Sequence, residues 1–225
     1  MIVQTIAEQV GNSLRAELLA GEHGAGTPLR EDELATRFGV SRHPIRKVLQ
    51  QLTTEGLLKS KPNCGVVVAD STSEHVAGLL TPMRQQLELY ALGLALPKLT
   101  AVHRAEWERG LTKMRHAADD QNQQEVLRQD AAFHQMILTA AELTEFLPVW
   151  QGIFCRMRDY HGQGNSQIDD LRAVAHVHEG LLKSFFSGNE KQARVDLKSH
   201  LENGEFNQRL LRQWRRRAAN QRRAH

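Results

Sequence analysis

Apolar residues near the start of the chain recur with the three-to-four-residue period of amphipathic helices. One stripe ends just before Gly21, a residue that often terminates helices, and comprises Ile6, Val10, Leu14 and Leu18. Two shorter amphipathic segments follow within residues 31–56 and are joined by the sequence GVS. Ser41 suits the N-cap of the second segment, and Pro44 lies in its first turn, where a proline is tolerated. The pattern predicts two helices that cross at a steep angle, as in a helix-turn-helix.

The second of these helices carries basic side chains on the face opposite its apolar stripe. Arg42 and Arg46 lie one turn apart near its N-terminus. A helix that is held by one face and has basic donors near its start suits reading of the DNA major groove. The next sequence, LLKSKPNCGVVVA, predicts a short β-hairpin with Lys59 and Lys61 on its first strand. At this point a winged helix that contacts only protein remains an alternative.

From residue 77 onward the apolar spacing is helical, without the alternation of a strand. About six amphipathic helices with short loops predict an antiparallel all-α bundle, whose interior can hold ligands or metal ions. On the first bundle helix we expect an inward-facing stripe of Leu80, Met83, Leu87, Ala91 and Leu94. The predicted fold is therefore mainly α, with an N-terminal winged helix-turn-helix, a small β-hairpin wing and a C-terminal helical bundle.

The predicted division of the chain has four parts. Residues 1–70 form the winged helix-turn-helix domain, 71–76 a linker, 77–214 the helical domain and 215–225 a basic tail. The net charge of +3 at pH 7 arises from the end of the chain, because residues 205–225 carry seven arginines and one glutamate. The overall charge is therefore weak evidence for DNA binding. Local basic clusters must supply that evidence.

Two features of the composition indicate a soluble cytoplasmic protein. The sequence has no run of about twenty uncharged apolar residues and no basic-then-apolar signal pattern at its start. Its two cysteines, Cys64 and Cys155, are too few for a disulfide framework. We expect no association with membranes.

The stretch QDAAFHQMIL places Asp130 and His134 four residues apart on one helical face, among apolar neighbours. A half-buried Asp–His hydrogen bond would explain this pair, and so would two metal ligands. Two further histidines lie on predicted core-facing stripes, His178 beside Leu181 and His200 beside Leu201. Three imidazoles and one carboxylate suit a divalent ion such as Zn²⁺ or Ni²⁺. Asp196, one turn before His200, is a candidate partner of that histidine.

The segment LREDELATRFGVSRHPIRKVLQQLTTEGLLKSKPNCGVVV resembles the winged helix-turn-helix domain of GntR-family bacterial transcription regulators. This resemblance implies that Arg42 and Arg46 contact operator DNA, helped by Ser41, and that Gly65 lets the wing approach the minor groove. His43 and Lys47, which replace a threonine and an acidic residue common in the family, are predicted DNA-binding residues on the same helix.

The remaining chain resembles the FCD-type ligand-binding domain of the FadR-like subfamily, in the members that bind metal. The matching sequences are DAAFH, HEGLLKSFFSGN and ARVDLKSHL. The resemblance places the metal ligands at Asp130, His134, His178 and His200. It also implies a small carboxylate or hydroxy acid as effector, and Arg84 and Arg158 are the predicted effector-binding residues. An arginine can pair bidentately with such an acid, although exposed positions for these side chains are the alternative.

The same set of residues is compatible with a regulator and with an enzyme. A metal-dependent helical-bundle enzyme with an accessory winged helix is the alternative, but the sequence shows no hydrolase signature such as H-E-x-x-H. We therefore expect a non-enzymatic bacterial regulator that binds double-stranded operator DNA. Because one recognition helix reads only a few base pairs, we also expect a homodimer on a palindromic site.

Overall fold

The computed structural model describes residues 5–62, 64–69, 75–162 and 170–203, with the backbone alone described at residues 76, 77, 158–162 and 203. The N-terminal helices are α1 (Ile6–Ala20), α2 (Glu31–Phe38) and α3 (Arg42–Thr54). The strands are β1 (Pro28–Leu29), β2 (Leu58–Lys61) and β3 (Gly65–Val68). They form one antiparallel sheet in the order β1-β3-β2.

The N-terminal part is a winged helix-turn-helix, as the sequence predicts. Gly21 and Gly39 end α1 and α2 in the left-handed conformation, with φ of 80° and 65°. Ser41 occupies the N-cap of α3, although its side chain makes no capping hydrogen bond. The hairpin β2–β3 forms the wing. Strand β1 was not predicted, because the sequence pattern indicates only the hairpin.

The helical domain begins with a π-helical turn at Val76–Leu80 and continues with six helices in the described residues. These helices are α4 (Thr81–Ala95), α5 (Ala101–Asp119), α6 (Gln123–Ala140), α7 (Leu147–Gly162), α8 (Leu171–Phe185) and α9 (Glu190–Asn203). Side chains of Asn122 and Asp170 accept hydrogen bonds from the first turns of α6 and α8. The predicted mainly α fold is confirmed. The basic tail at 215–225 lies outside the described residues.

Aromatic packing joins the helices around Trp107 of α5, which is 1% exposed. Its ring centroid lies 6.0 Å from those of Phe133 and Phe185 and 6.1 Å from that of Phe186. Its indole Nε1 donates a hydrogen bond of 3.1 Å to the carbonyl oxygen of Phe133. This packing holds α6 and α8, which carry three of the predicted metal ligands, against α5.

Helix α4 does not bury the stripe that its sequence predicts. Met83 and Leu94 are 42% and 38% exposed, whereas Arg84 and Glu88 are buried. The two charged residues form an ion pair inside the bundle, with Arg84 Nε 2.6 Å from Glu88 Oε1. The prediction was wrong for Met83 and Leu94, because paired charges can occupy a core face that an apolar pattern would assign to hydrophobic residues.

Among the described residues, no helix combines the length and apolar character needed to cross a membrane.

Candidate metal centre and DNA-binding surface

Three helices bring the four predicted metal ligands together. Asp130 and His134 project from one face of α6, His178 comes from α8 and His200 from α9. One donor atom from each residue lies within 4.8 Å of the donor atoms of the others. His134 and His178 are buried, and Asp130 and His200 are partly buried. The cluster therefore has the residue types and the compactness of a divalent-metal site.

Hydrogen bonds at Nδ1 of His134 and His178 leave the Nε2 atoms of these two rings as candidate metal ligands. His134 Nδ1 lies 2.7 Å from Glu88 Oε2, and His178 Nδ1 lies 2.8 Å from the carbonyl oxygen of Val174. Because a carboxylate and a carbonyl accept hydrogen bonds, each Nδ1 carries the proton and donates. A neutral imidazole then has its lone pair on Nε2.

Those Nε2 atoms face other electron-rich atoms. His178 Nε2 lies 2.9 Å from Asp130 Oδ1, yet it is buried and forms no hydrogen bond within the described structure. His134 Nε2 lies 3.1 Å from His200 Nε2 and 3.7 Å from Asp130 Oδ1. A lone pair on His178 Nε2 and the carboxylate oxygen would repel each other, and a positive charge between the two atoms, either a proton or a metal ion bound to both, removes this repulsion. The residues present therefore fit a divalent metal ion.

The protonation states favour metal binding. Burial lowers the pKa of His134 despite the nearby Glu88 carboxylate. Burial, reinforced by His178 and His134, also lowers the pKa of His200 well below its usual value. Burial alone would raise the pKa of Asp130, but His178, His134 and Arg84 outweigh burial and lower it. Neutral imidazoles and an ionised carboxylate are the forms that bind metals.

A buried carboxylate that was not predicted from the sequence lies behind His134. Glu88 is 0% exposed and accepts hydrogen bonds from Arg84 Nε (2.6 Å), Trp150 Nε1 (2.6 Å) and His134 Nδ1 (2.7 Å). Burial would raise the pKa of Glu88, but Arg84 and His134 outweigh burial and lower it to about 2. The spacing of Arg84 and Glu88, one helical turn apart, was the available signal in the sequence.

Of the two predicted effector-binding arginines, the structure describes the side chain of Arg84 alone. Its Nη2 atom is buried and has no hydrogen-bond partner among the described residues. Its guanidinium carbon lies 5.1 Å from the centre of the Phe154 ring. The side chain of Arg158, on α7, lies outside the described part of the chain.

Asp196 does not act as the expected partner of His200. Its carboxylate accepts hydrogen bonds from Ser184 Oγ and Gln192 Nε2, which joins α8 to α9. His200 Nδ1 is buried and has no hydrogen-bond partner among the described residues. This expectation was wrong because Ser184 of α8 and Gln192 of α9 donate to the Asp196 carboxylate instead.

The predicted DNA-contacting residues lie on the exposed side of α3. Ser41, Arg42, His43, Arg46 and Lys47 are all exposed, whereas the opposite face of α3 is buried in the domain core. Gly65 begins β3 with φ of 73°, a left-handed conformation that favours glycine at the tip of the wing.

Arg46 is held by Glu31, a partner that was not predicted from the sequence. Its Nε and Nη2 atoms lie 2.8 and 2.7 Å from the two carboxylate oxygens of Glu31 on α2. Hydrogen bonding from Arg46 lowers the pKa of Glu31. This two-point ion pair fixes the direction of the Arg46 side chain on the exposed face of α3.

Comparisons with known proteins match both parts of the chain to known families. The family model described as "Bacterial regulatory proteins, gntR family" matches residues 6–68, and the FCD domain model matches residues 80–203. The chain is 25% identical over 197 residues to a probable D-xylose utilization operon transcriptional repressor of Paenarthrobacter nicotinovorans, covering 88% of this chain and 86% of the relative. It is 24% identical to a gluconate operon transcriptional repressor of Bacillus licheniformis, covering 78% of this chain and 74% of the relative.

Solved structures show the same fold. The structure of E. coli McbR/YncC matches with a TM-score of 0.79 and 21% identity, over 94% of this chain and all of the other (100%). A putative GntR regulator from Rhodococcus sp. RHA1 matches with a TM-score of 0.72 and 20% identity, over 91% and 97% of the two chains. The two relatives are named as transcriptional repressors and not as enzymes. The chain therefore belongs to the GntR family of bacterial transcription regulators and carries an FCD domain.

Proposed function

We propose that this protein is a cytoplasmic repressor whose binding to a palindromic operator responds to a small organic acid at a divalent-metal centre. The observation that carries this proposal is the cluster of Asp130, His134, His178 and His200. Within it, His178 Nε2 and Asp130 Oδ1 face each other at 2.9 Å, and a cation could bind to both atoms. When bound, the metal would supply a positive charge and coordination positions for an acidic ligand.

Arg84 supports an acidic effector rather than a neutral one. Its guanidinium and His134 both bond to the Glu88 carboxylate, and its Nη2 is buried with no hydrogen-bond partner among the described residues. An unpaired buried donor on a cation costs free energy, which an incoming carboxylate would recover by accepting a hydrogen bond from it. We assign Arg84 to effector binding on this basis. Arg158 is a second candidate from the sequence.

The DNA-binding role rests on α3 and the wing. Ser41, Arg42, His43, Arg46 and Lys47 would face the major groove, and Gly65 would let the wing approach the minor groove. Repression is supported by the names of the two relatives as repressors of sugar and sugar-acid operons.

A homodimer would supply the two-fold symmetry of a palindromic operator. An exposed apolar stripe on one side of the π-helical turn and α4 offers a surface for a second copy. Its four large side chains are Leu79, Met83, Tyr90 and Leu94. Their helical spacing places them on one face, opposite the buried Arg84–Glu88 pair.

The test begins with a thermal-shift screen of the zinc-loaded protein against small carboxylates and hydroxy acids, including gluconate. A ligand of the folded state raises the melting temperature by mass action. Acids that do so are then added to operator-binding titrations of the wild type and of His200→Ala. We expect the acid to change operator affinity in the wild type only. An equal response in both proteins would refute the role of the metal, and a screen in which no acid stabilises the protein would refute the effector class.

A further inference from the structure

Glu88 binds three donors from three different helices with its two oxygens. Oε1 accepts from Arg84 Nε of α4 and from Trp150 Nε1 of α7, both at 2.6 Å. Oε2 lies 2.7 Å from Nδ1 of His134 on α6. Glu88, His134 and Trp150 are each 0% exposed, so water does not compete for these contacts. One carboxylate therefore connects a candidate metal ligand to the candidate effector-binding arginine.

The contacts at Glu88 Oε1 determine which ring nitrogen of His134 carries the hydrogen. A guanidinium cannot accept a hydrogen bond and remains charged, so the Glu88 group that it pairs with is a carboxylate and accepts at both oxygens. His134 must then donate from Nδ1, and the neutral ring keeps its lone pair on Nε2. That atom faces Asp130 and His200.

We propose that Glu88 is a positioning residue, which fixes the His134 tautomer that presents Nε2 to a metal ion and at the same time holds Arg84 through its Nε. This inference rests on the metal centre of the proposed function. Hydrogen bonds behind metal-bound histidines commonly set the orientation and the tautomer of the ring. The same carboxylate accepts a hydrogen bond from Nε of Arg84, and Nη2 of that arginine remains able to donate to a ligand.

A purely structural role for Glu88 makes a different prediction. If Glu88 served only to neutralise Arg84 in the core, the contact with His134 would be incidental. Changes at Glu88 and at Trp150 would then act on metal binding in the same way, through stability. Glu88→Gln separates the two roles because glutamine has nearly the same shape but one oxygen and one NH₂ group.

The glutamine must adopt one orientation in this site. Arg84 Nε and Trp150 Nε1 can only donate, so the amide oxygen will take the Oε1 position. Its NH₂ group then faces His134 Nδ1 and donates to it. The His134 hydrogen moves to Nε2, which removes the lone pair that a metal needs.

The experiment compares full-length wild type, Glu88→Gln and the control Trp150→Phe, which removes one donor to Oε1 without touching the His134 contact. Two measurements are made: zinc affinity by competition with a chromophoric chelator, and the His134 tautomer in the zinc-free protein by nitrogen-15 NMR. We expect Glu88→Gln to lose about 10–100-fold in zinc affinity, as changes behind a metal ligand commonly do. We expect Trp150→Phe to stay close to the wild type, and the tautomer to change from Nδ1–H to Nε2–H in Glu88→Gln alone.

Each outcome decides the inference. Equal losses of zinc affinity in the two variants, or an Nε2–H tautomer in the wild type, would overturn it. If Glu88→Gln does not fold, the wild-type and Trp150→Phe spectra still test the tautomer. If the wild type binds no zinc, the proposed metal function fails, whereas the tautomer measurement still tests the role of Glu88.

Discussion

Replacing His178 and His176 with alanine, one at a time, tests the metal centre with a matched pair on the same helix. His178 is 1% exposed, with Nε2 in the cluster. The side chain of His176, two positions earlier on α8, is 86% exposed. Both variants lose an imidazole from the same helix, but only His178→Ala removes a candidate ligand.

The expected effect of His178→Ala has two parts. The first is present without metal, because the ring packs edge-on against Phe133 with centroids 4.9 Å apart and bonds to Val174. Loss of this packing and bond should cost about 1–3 kcal/mol, the usual range for a buried substitution. The second part appears only with metal: free zinc at about 100 times Kd stabilises the wild type by roughly 2.7 kcal/mol. For a chain of this length, that gain corresponds to a rise of about 5–11 °C in melting temperature.

The assay measures bound metal by elemental analysis and melting temperature with zinc and with a chelator. We expect about one equivalent of divalent metal per chain and the full zinc-dependent rise for the wild type and His176→Ala. His178→Ala should contain little metal and melt at nearly the same temperature under both conditions. The difference between conditions cancels the packing cost, which is common to both. Stoichiometric metal in His178→Ala, or an equal loss in His176→Ala, would refute the assignment of the ligands.

Three further predictions concern DNA and assembly. Arg42→Ala should weaken specific operator binding by about 1–3 kcal/mol in a fluorescence titration. Deletion of 215–225 should weaken binding modestly and lower its salt dependence. A larger loss of operator affinity from the deletion than from Arg42→Ala would contradict the DNA-binding surface. Glu31→Gln should release Arg46 and increase binding to non-operator DNA at low salt; unchanged discrimination would show that the ion pair does not affect specificity. Tyr90→Glu should convert dimers to monomers in light scattering, and a persistent dimer would place the interface elsewhere.

The parts of the fold that were predicted correctly depend on local spacing. The Asp130–His134 pair is one turn apart, so any α-helix places both side chains on one face. His178 and His200 lie on stripes whose apolar members are buried in the structure, such as Leu181 and Leu201. Because each helix of the bundle has one side that faces the core, folding brings the sides that carry these residues together in the bundle interior.

The buried face of α4 could not be predicted in this way. Arg84 and Glu88 are charged, and the usual expectation is that charged residues lie on the solvent side of an amphipathic helix. Their burial depends on Trp150 and His134, which other helices supply and which the sequence of α4 does not reveal. The two-residue strand β1 was not predicted for a related reason. It is defined by tertiary pairing with β3, and it is too short to produce a periodic pattern in the sequence.

Helix α6 has contacts both in the candidate metal centre and with the N-terminal helices. One side of α6 carries Asp130 and His134 in the candidate metal centre. Arg128, on the same helix, forms an ion pair with Glu22, just beyond the end of α1. Arg15 of α1 in turn makes a two-point ion pair with Glu55 at the end of α3, with contacts of 2.9 to 3.1 Å.

The candidate metal centre and α3 are therefore connected through two helices, α6 and α1, with charged contacts at each junction. Because close-packed helices move as units rather than deform continuously, we expect an effector that reorients α6 to shift α3 with it. In a dimer, such a shift would change the distance between the two recognition helices. Operator affinity would then change without any change in the residues that contact DNA, because half-site spacing is fixed by the DNA helix.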